Sequence, residues 1–133
     1  MKKISLIFLF AFGTNIIWEN LHSYLYVGYE GGPITEFILL RASFWDAVII
    51  TAILWPFLYF NFLKNKPGII FVIGILVALI IEWRALGTNR WSYNFLMPII
   101  PFLGTGLTPT IQLGFLGYLT YKLQKYIATT SHV

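Results

Sequence analysis

Four long apolar stretches separated by short polar, glycine-rich or proline-rich breaks set the plan of this chain. The first follows Lys2 and Lys3 and runs from Ile4 to about Tyr26, with no charge between Ile4 and Trp18. Its opening imitates a secretory signal. However, Ala11-Phe12-Gly13 fits the small-residue cleavage rule poorly and the apolar run resumes at Ile16, Ile17 and Trp18, so the spacing predicts a retained anchor. A break at Gly28, Glu30, Gly31, Gly32 and Pro33 ends it. The second stretch is clearest from Trp45 to Leu63, with Pro56 expected to kink it. Pro33 suits a first helical position, so residues 34–42 either extend this helix or lie at the interface. The third runs from Ile69 to about Ala85, after the turn Lys64-Asn65-Lys66-Pro67-Gly68. The fourth opens at Thr108-Pro109, read as an N-cap and first-turn pair, and ends near Tyr126.

Between the third and fourth, Trp91 to Leu103 is apolar for only thirteen residues and carries Pro98 and Pro101. A hydrocarbon core of about 30 Å needs roughly 20 apolar helical residues, so this piece is too short and too broken to cross. The prediction is an all-α polytopic membrane protein: four transmembrane helices with a short interfacial or re-entrant segment between helices 3 and 4. Residues 1–126 form one domain and residues 127–133 a short cytoplasmic tail.

Composition agrees. Of 133 residues, 58% are hydrophobic and only 11% charged, about half the charge expected of a soluble domain. The net charge of +4 does not imply nucleic acid, because the nine basic residues are scattered over loops instead of forming a patch. The chain has no cysteine, which excludes disulfides, thiolate catalysis and cysteine metal sites.

The charges sort by type. All six lysines (Lys2, Lys3, Lys64, Lys66, Lys122, Lys125) fall at one set of helix ends, which the positive-inside rule assigns to the cytoplasm, together with both termini. The five acids and the three arginines fall at the other ends. Sixteen residues separate Lys3 from Glu19, sixteen separate Lys66 from Glu82, and eighteen separate Lys64 from Asp46. At about 1.5 Å per residue, three helices lift a carboxylate to one layer some 24–27 Å above the lysines, just inside the outer boundary. Such groups must pair, face a wet cavity or take a proton. Trp18, Trp45, Trp83 and Trp91 lie beside them, as an aromatic belt does.

On the first helix Asn15, Glu19, His22 and Tyr26 share one stripe, which faces the bundle interior or a vestibule. Glu19 is the leading candidate for ligand binding or proton coupling, with His22 one turn further out as its proton partner. Asp46 is either a helix cap, through Ser43-x-x-Asp46, or an intramembrane carboxylate if the helix already starts near Pro33. Glu82 closes the third helix and needs a partner from elsewhere, since Arg84 two positions on does not share its face. Gln112 lies near the midplane as an interhelical hydrogen-bonding residue, with a pore or ligand role as the alternative, and it stands with Asn15, His22, Asp46 and Glu82 among the candidates for ligand binding or proton coupling. Arg41, Arg84 and Arg90 are the expected ion-pair partners of these acids. Gly104-Thr105-Gly106 lacks the strand and lysine of a phosphate loop, and no two-histidine spacing suggests a metal, so neither cofactor nor metal is expected.

The string Trp18-Glu19, Asp46, Glu82-Trp83, Trp91-Ser92-Tyr93, Met97-Pro98, Gly104-Thr105-Gly106-Leu107, Pro109 and Gln112 resembles a group of small bacterial four-helix membrane proteins with no established activity. The resemblance covers most of the chain from Trp18 to Gln112. It implies the architecture and a bacterial cytoplasmic membrane, without naming a substrate. Small multidrug transporters, with a single deep carboxylate in the first helix, do not fit. The leading expectation is an outer-half carboxylate and aromatic pocket that binds or transports a cationic or amphipathic small molecule. The alternatives are a membrane-embedded acid-base enzyme acting on a lipid or isoprenoid group, and a structural or assembly subunit. The lipid bilayer is the expected partner, and the glycines permit self-association into a homo-oligomer.

Overall fold

The computed structural model describes residues 2–131. Its elements are α1 (Lys2–His22), a 3-10 turn (Ser23–Leu25), β1 (Tyr26–Tyr29), α2 (Glu36–Tyr59), α3 (Asn61–Lys64), α4 (Gly68–Gly87), β2 (Trp91–Tyr93) and α5 (Leu107–Thr130). The chain is mostly helical, and three stretches, Lys2–Leu25, Glu36–Tyr59 and Gly68–Gly87, are long and apolar enough to cross a membrane. The fourth long helix, α5, has 24 residues but is more polar, and it buries Thr110, Gln112, Thr120 and Gln124.

The start of α2 settles the ambiguity around Pro33. Thr35 caps the helix, its hydroxyl accepting from the Ile38 amide at 3.3 Å, and Glu36 complements the positive end of the helix dipole. Pro33 therefore lies before the helix, and α2 runs unbroken from residue 36. Ser43 caps nothing, because its hydroxyl donates back to the Leu39 carbonyl at 2.8 Å. Asp46 is consequently a mid-helix carboxylate. At the far end α2 passes through Pro56 and stops at Tyr59, short of the expected Leu63, and α3 makes a separate turn. Further boundaries differ from the sequence reading. The first helix stops at His22, so Tyr26, expected on its polar stripe, lies on β1 instead. Gly106, not Thr108, occupies the N-cap position of α5, and the helix continues past Tyr126 to Thr130, so residues 127–130 are helical; residues 132 and 133 lie outside the described residues.

Helices α1 and α2 pack along their lengths, as do α4 and α5, with α1 also against α5; α2 and α4 touch little. The α4/α5 contact is the tightest in the molecule. A Cβ at Gly74 would collide with the Gly114 backbone and one at Gly114 with the Phe71 carbonyl, so glycine at both positions lets two backbones meet. The apolar core (Ile7, Ala11, Ile50, Leu54, Ile70, Leu116) fills the half of the bundle toward the lysine-bearing ends. There the Tyr121 phenol donates to the Lys64 carbonyl at 2.9 Å.

The opposite end is closed by something an all-α reading does not contain. β1 and β2 pair antiparallel, with Tyr26 opposite Tyr93, Gly28 opposite Ser92 and Tyr29 opposite Trp91. This clip ties the α1–α2 connection to the α4–α5 connection. Its turns use left-handed backbone at Glu30, Gly31 and Asn89. The segment Trp91–Leu103 is non-helical throughout: β2 leads into turns that bury Met97 and leave Phe95 and Phe102 exposed.

Candidate functional site

Beneath the clip, three helices each deliver one carboxylate to a single cavity of about 370 Å³: Glu19 from α1, Asp46 from α2 and Glu82 from α4. The depth arithmetic placed these three in one layer, and the fold brings them to one space. His22 and Gln112 line it too, with Tyr26, Tyr29, Trp45 and Trp91 as aromatic walls. Its apolar flank is Ile38 and Ile49 of α2, with Ile34 just before that helix, against Ala78 and Ile81 of α4, the two helices that barely touch. Exposed Arg41 and Trp45 form part of the rim.

Gln112 is the hub. Its side-chain amide nitrogen lies 2.8 Å from Glu19 Oε1, 2.9 Å from Asn15 Oδ1 and 3.0 Å from Asp46 Oδ2. An amide carries two N–H donors, so three acceptors compete for two protons. Asn15 is fully buried and anchors its end by donating to the Ala11 carbonyl at 2.7 Å. Glu19 and Asp46 also stand within hydrogen-bonding reach of each other.

From Glu19 the network runs outward. Glu19 Oε2 lies 3.1 Å from His22 Nε2, and His22 Nδ1 lies 3.1 Å from the Thr108 hydroxyl. The imidazole is buried and packs edge-on to Tyr26. Thr108, read from sequence as a helix cap, is thus the second partner of His22. A neutral ring donating to Glu19 through Nε2 accepts from Thr108 at Nδ1, whereas a charged ring donates to both.

Glu82 is held separately. Its Oε2 accepts from the Trp91 indole at 3.1 Å and from the Tyr93 phenol at 2.5 Å, both on β2. These partners were missed because Trp91 reads as an interfacial belt residue. The available signal is the Trp91-Ser92-Tyr93 alternation, since residues two apart on a strand share a face. The phenols of Tyr93 and Tyr26 are both raised above the ordinary tyrosine range. Burial is the main cause for each, reinforced for Tyr93 by its hydrogen bond to Glu82 and for Tyr26 by the Glu82 charge. Both stay neutral across the physiological range, Tyr93 as a donor to Glu82.

The expected arginine partnership is corrected. Among the described residues the acids within 4 Å of a basic side chain are Glu19, beside His22, and Glu30, paired with Arg90, so none of Arg41, Arg84 and Arg90 pairs with Glu19, Asp46 or Glu82. Arg41 and Arg90 turn instead to Tyr29, and Arg84 is exposed on α4. In their place Gln112 of α5 donates to Glu19 and Asp46, and Trp91 and Tyr93 of β2 donate to Glu82. Trp18 packs against Phe115, and its indole N–H is buried without a hydrogen-bond partner. Among the described residues, no three His, Asp or Glu side chains are grouped to hold a metal ion.

Chemically, the arrangement offers a floor of three carboxyl groups, aromatic walls and an apolar flank. Comparison with protein-family models, curated proteins and solved structures finds no match, so the functional reading rests on this geometry.

Proposed function

We propose that this chain is a four-span integral membrane protein whose outer-half cavity binds or transports a cationic, amphipathic small molecule. The observation that carries the reading is the convergence of Glu19, Asp46 and Glu82 on one aromatic-walled cavity with no arginine paired to any of them. Carboxyl groups flanked by aromatic faces are what an ammonium group needs when it leaves water. The thin α2/α4 seam, lined by isoleucines, suits the apolar part of such a molecule.

The membrane arrangement follows from the same features. We take α1, α2, α4 and α5 as the four spans, α5 turning its polar residues inward against the other three. The lysine-bearing ends face the cytoplasm, with both termini, and the clip and the Trp91–Leu103 segment lie at the outer interface of a bacterial cytoplasmic membrane. This agrees with the resemblance to small bacterial four-helix membrane proteins.

Binding of dodecyltrimethylammonium to the purified protein in dodecyl maltoside micelles tests the proposal, read by native mass spectrometry and by tryptophan fluorescence. The micelle supplies an uncharged amphiphile of equal chain length in excess, so saturable binding reports the charged head. Saturable binding of one molecule per chain is expected. Its absence overturns the reading.

A second reading, an acid-base enzyme acting on a lipid or isoprenoid group, draws on the contact between Glu19 and Asp46. Two carboxyl groups meeting at Gln112, with His22 beside Glu19, place groups able to act as acid and as base in one spot. A covalent change in a co-purified lipid, lost in Asp46→Asn, would favour it.

A further inference from the structure

Two arginines stand at the mouth of this cavity, and neither serves the carboxylates inside. Arg41 of α2 and Arg90, just before β2, each donate through a terminal guanidinium nitrogen to the Tyr29 phenol oxygen, at 2.9 and 3.0 Å. Both guanidiniums also lie over the Tyr29 ring, at 5.6 and 5.9 Å from its centroid, and Arg90 lies over Trp91 at 5.6 Å. Neutral groups thus fix two like charges around one oxygen. Among the described residues Arg41 has no acid within ion-pair distance, and Arg90 has only the exposed Glu30 at 3.8 Å. Held this way, the planar forks present the donors that bind a phosphate or carboxylate bidentately.

Depth completes the pattern. Arg41 precedes Asp46 by five residues on one helix, about 7.5 Å along its axis. The cavity therefore runs from a positive mouth to an acidic floor, the complement of a dipolar molecule. We infer that its occupant is a zwitterion, a phosphate ester of an amino alcohol. The phosphate sits at Arg41 and Arg90 and the ammonium lies deeper, against Glu19 and Asp46. This rests on the cation-site reading and names the class of ligand within it. A lipid and its free headgroup share that chemistry.

The test compares dodecylphosphocholine, dodecyltrimethylammonium and chain-free phosphocholine on the protein in dodecyl maltoside. Dodecylphosphocholine is expected to bind about tenfold more tightly than dodecyltrimethylammonium, the effect of one or two charge-assisted hydrogen bonds. The double variant Arg41→Gln with Arg90→Gln should bring the two to equal affinity. Should the double variant not fold, single Arg41→Gln, at an exposed position, gives the same result at smaller amplitude. Competition by phosphocholine identifies a soluble headgroup as sufficient, and competition only by the chain-bearing form identifies a lipid. Equal affinities in the wild type, or a preference that survives loss of both arginines, overturns the zwitterion. Failure of dodecyltrimethylammonium to bind at all overturns the cation-site reading beneath it.

Discussion

Replacing Gln112 with leucine should cost the fold about 3 kcal/mol, because one buried amide serves acceptors on two other helices. Leucine keeps the volume and the apolar contacts of α5 but leaves Asn15 Oδ1, which is fully buried, without its donor. An orphaned buried acceptor alone costs about 1–3 kcal/mol. Glu19 and Asp46 lose the same donor but face the cavity, where water can replace part of it. The loss thus falls mainly on the α1/α5 contact. Thermal unfolding in detergent, followed by circular dichroism, should show a midpoint lowered by several degrees. An unchanged midpoint would mean that the polar layer is solvated well enough to hold itself.

Glu19→Gln has the largest expected effect on binding and a small one on the fold. The amide matches the carboxylate in shape, still accepts from Gln112 through its oxygen and can meet His22 through its nitrogen. The negative charge, and with it the attraction for an ammonium group, is removed. Loss of one charge-assisted contact in a poorly solvated site weakens binding about 10- to 100-fold. Dodecyltrimethylammonium binding should therefore fall by that factor while the helical spectrum and monodispersity stay as in the wild type. A Glu19→Gln protein that fails to fold would show that the carboxylate is there to hold the helices together. One that binds normally would remove Glu19 from the site.

How much of this was legible in the sequence follows from which interactions are local. The height of Glu19, Asp46 and Glu82 above the lysines depends only on helical rise, so counting residues placed all three in one layer. The inward stripe of Asn15, Glu19 and His22 followed from helical periodicity for the same reason. Partners did not follow, because they come from segments far away along the chain. Gln112 is 93 residues from Glu19, and Thr108 is 86 from His22. Local patterns also misled. Ser43-x-x-Asp46 imitates a capping box inside a helix that Thr35 had already started eight residues earlier. Trp91 and Tyr93 resemble interfacial anchors, yet pairing of β2 with β1, a match of strands of three and four residues, turns them toward Glu82. Arginines and acids of opposite charge at the same end of a bundle suggest ion pairs, but the rim and the floor of the cavity lie at different depths.

The central claim is that the acidic cavity opens on the side of the membrane opposite the lysines. Because the chain has no cysteine, one introduced thiol reports its own position cleanly. Ala42 lines the cavity beside Arg41, and Thr129 is exposed near the end of α5, at the lysine-bearing pole. Intact cells carrying Ala42→Cys or Thr129→Cys would be treated with a membrane-impermeant maleimide, with and without dodecyltrimethylammonium. Ala42→Cys should label from outside and be protected by the amphiphile, whereas Thr129→Cys should label only after the membrane is opened. Labelling of Ala42→Cys only after permeabilisation, or without protection by the amphiphile, would contradict the account.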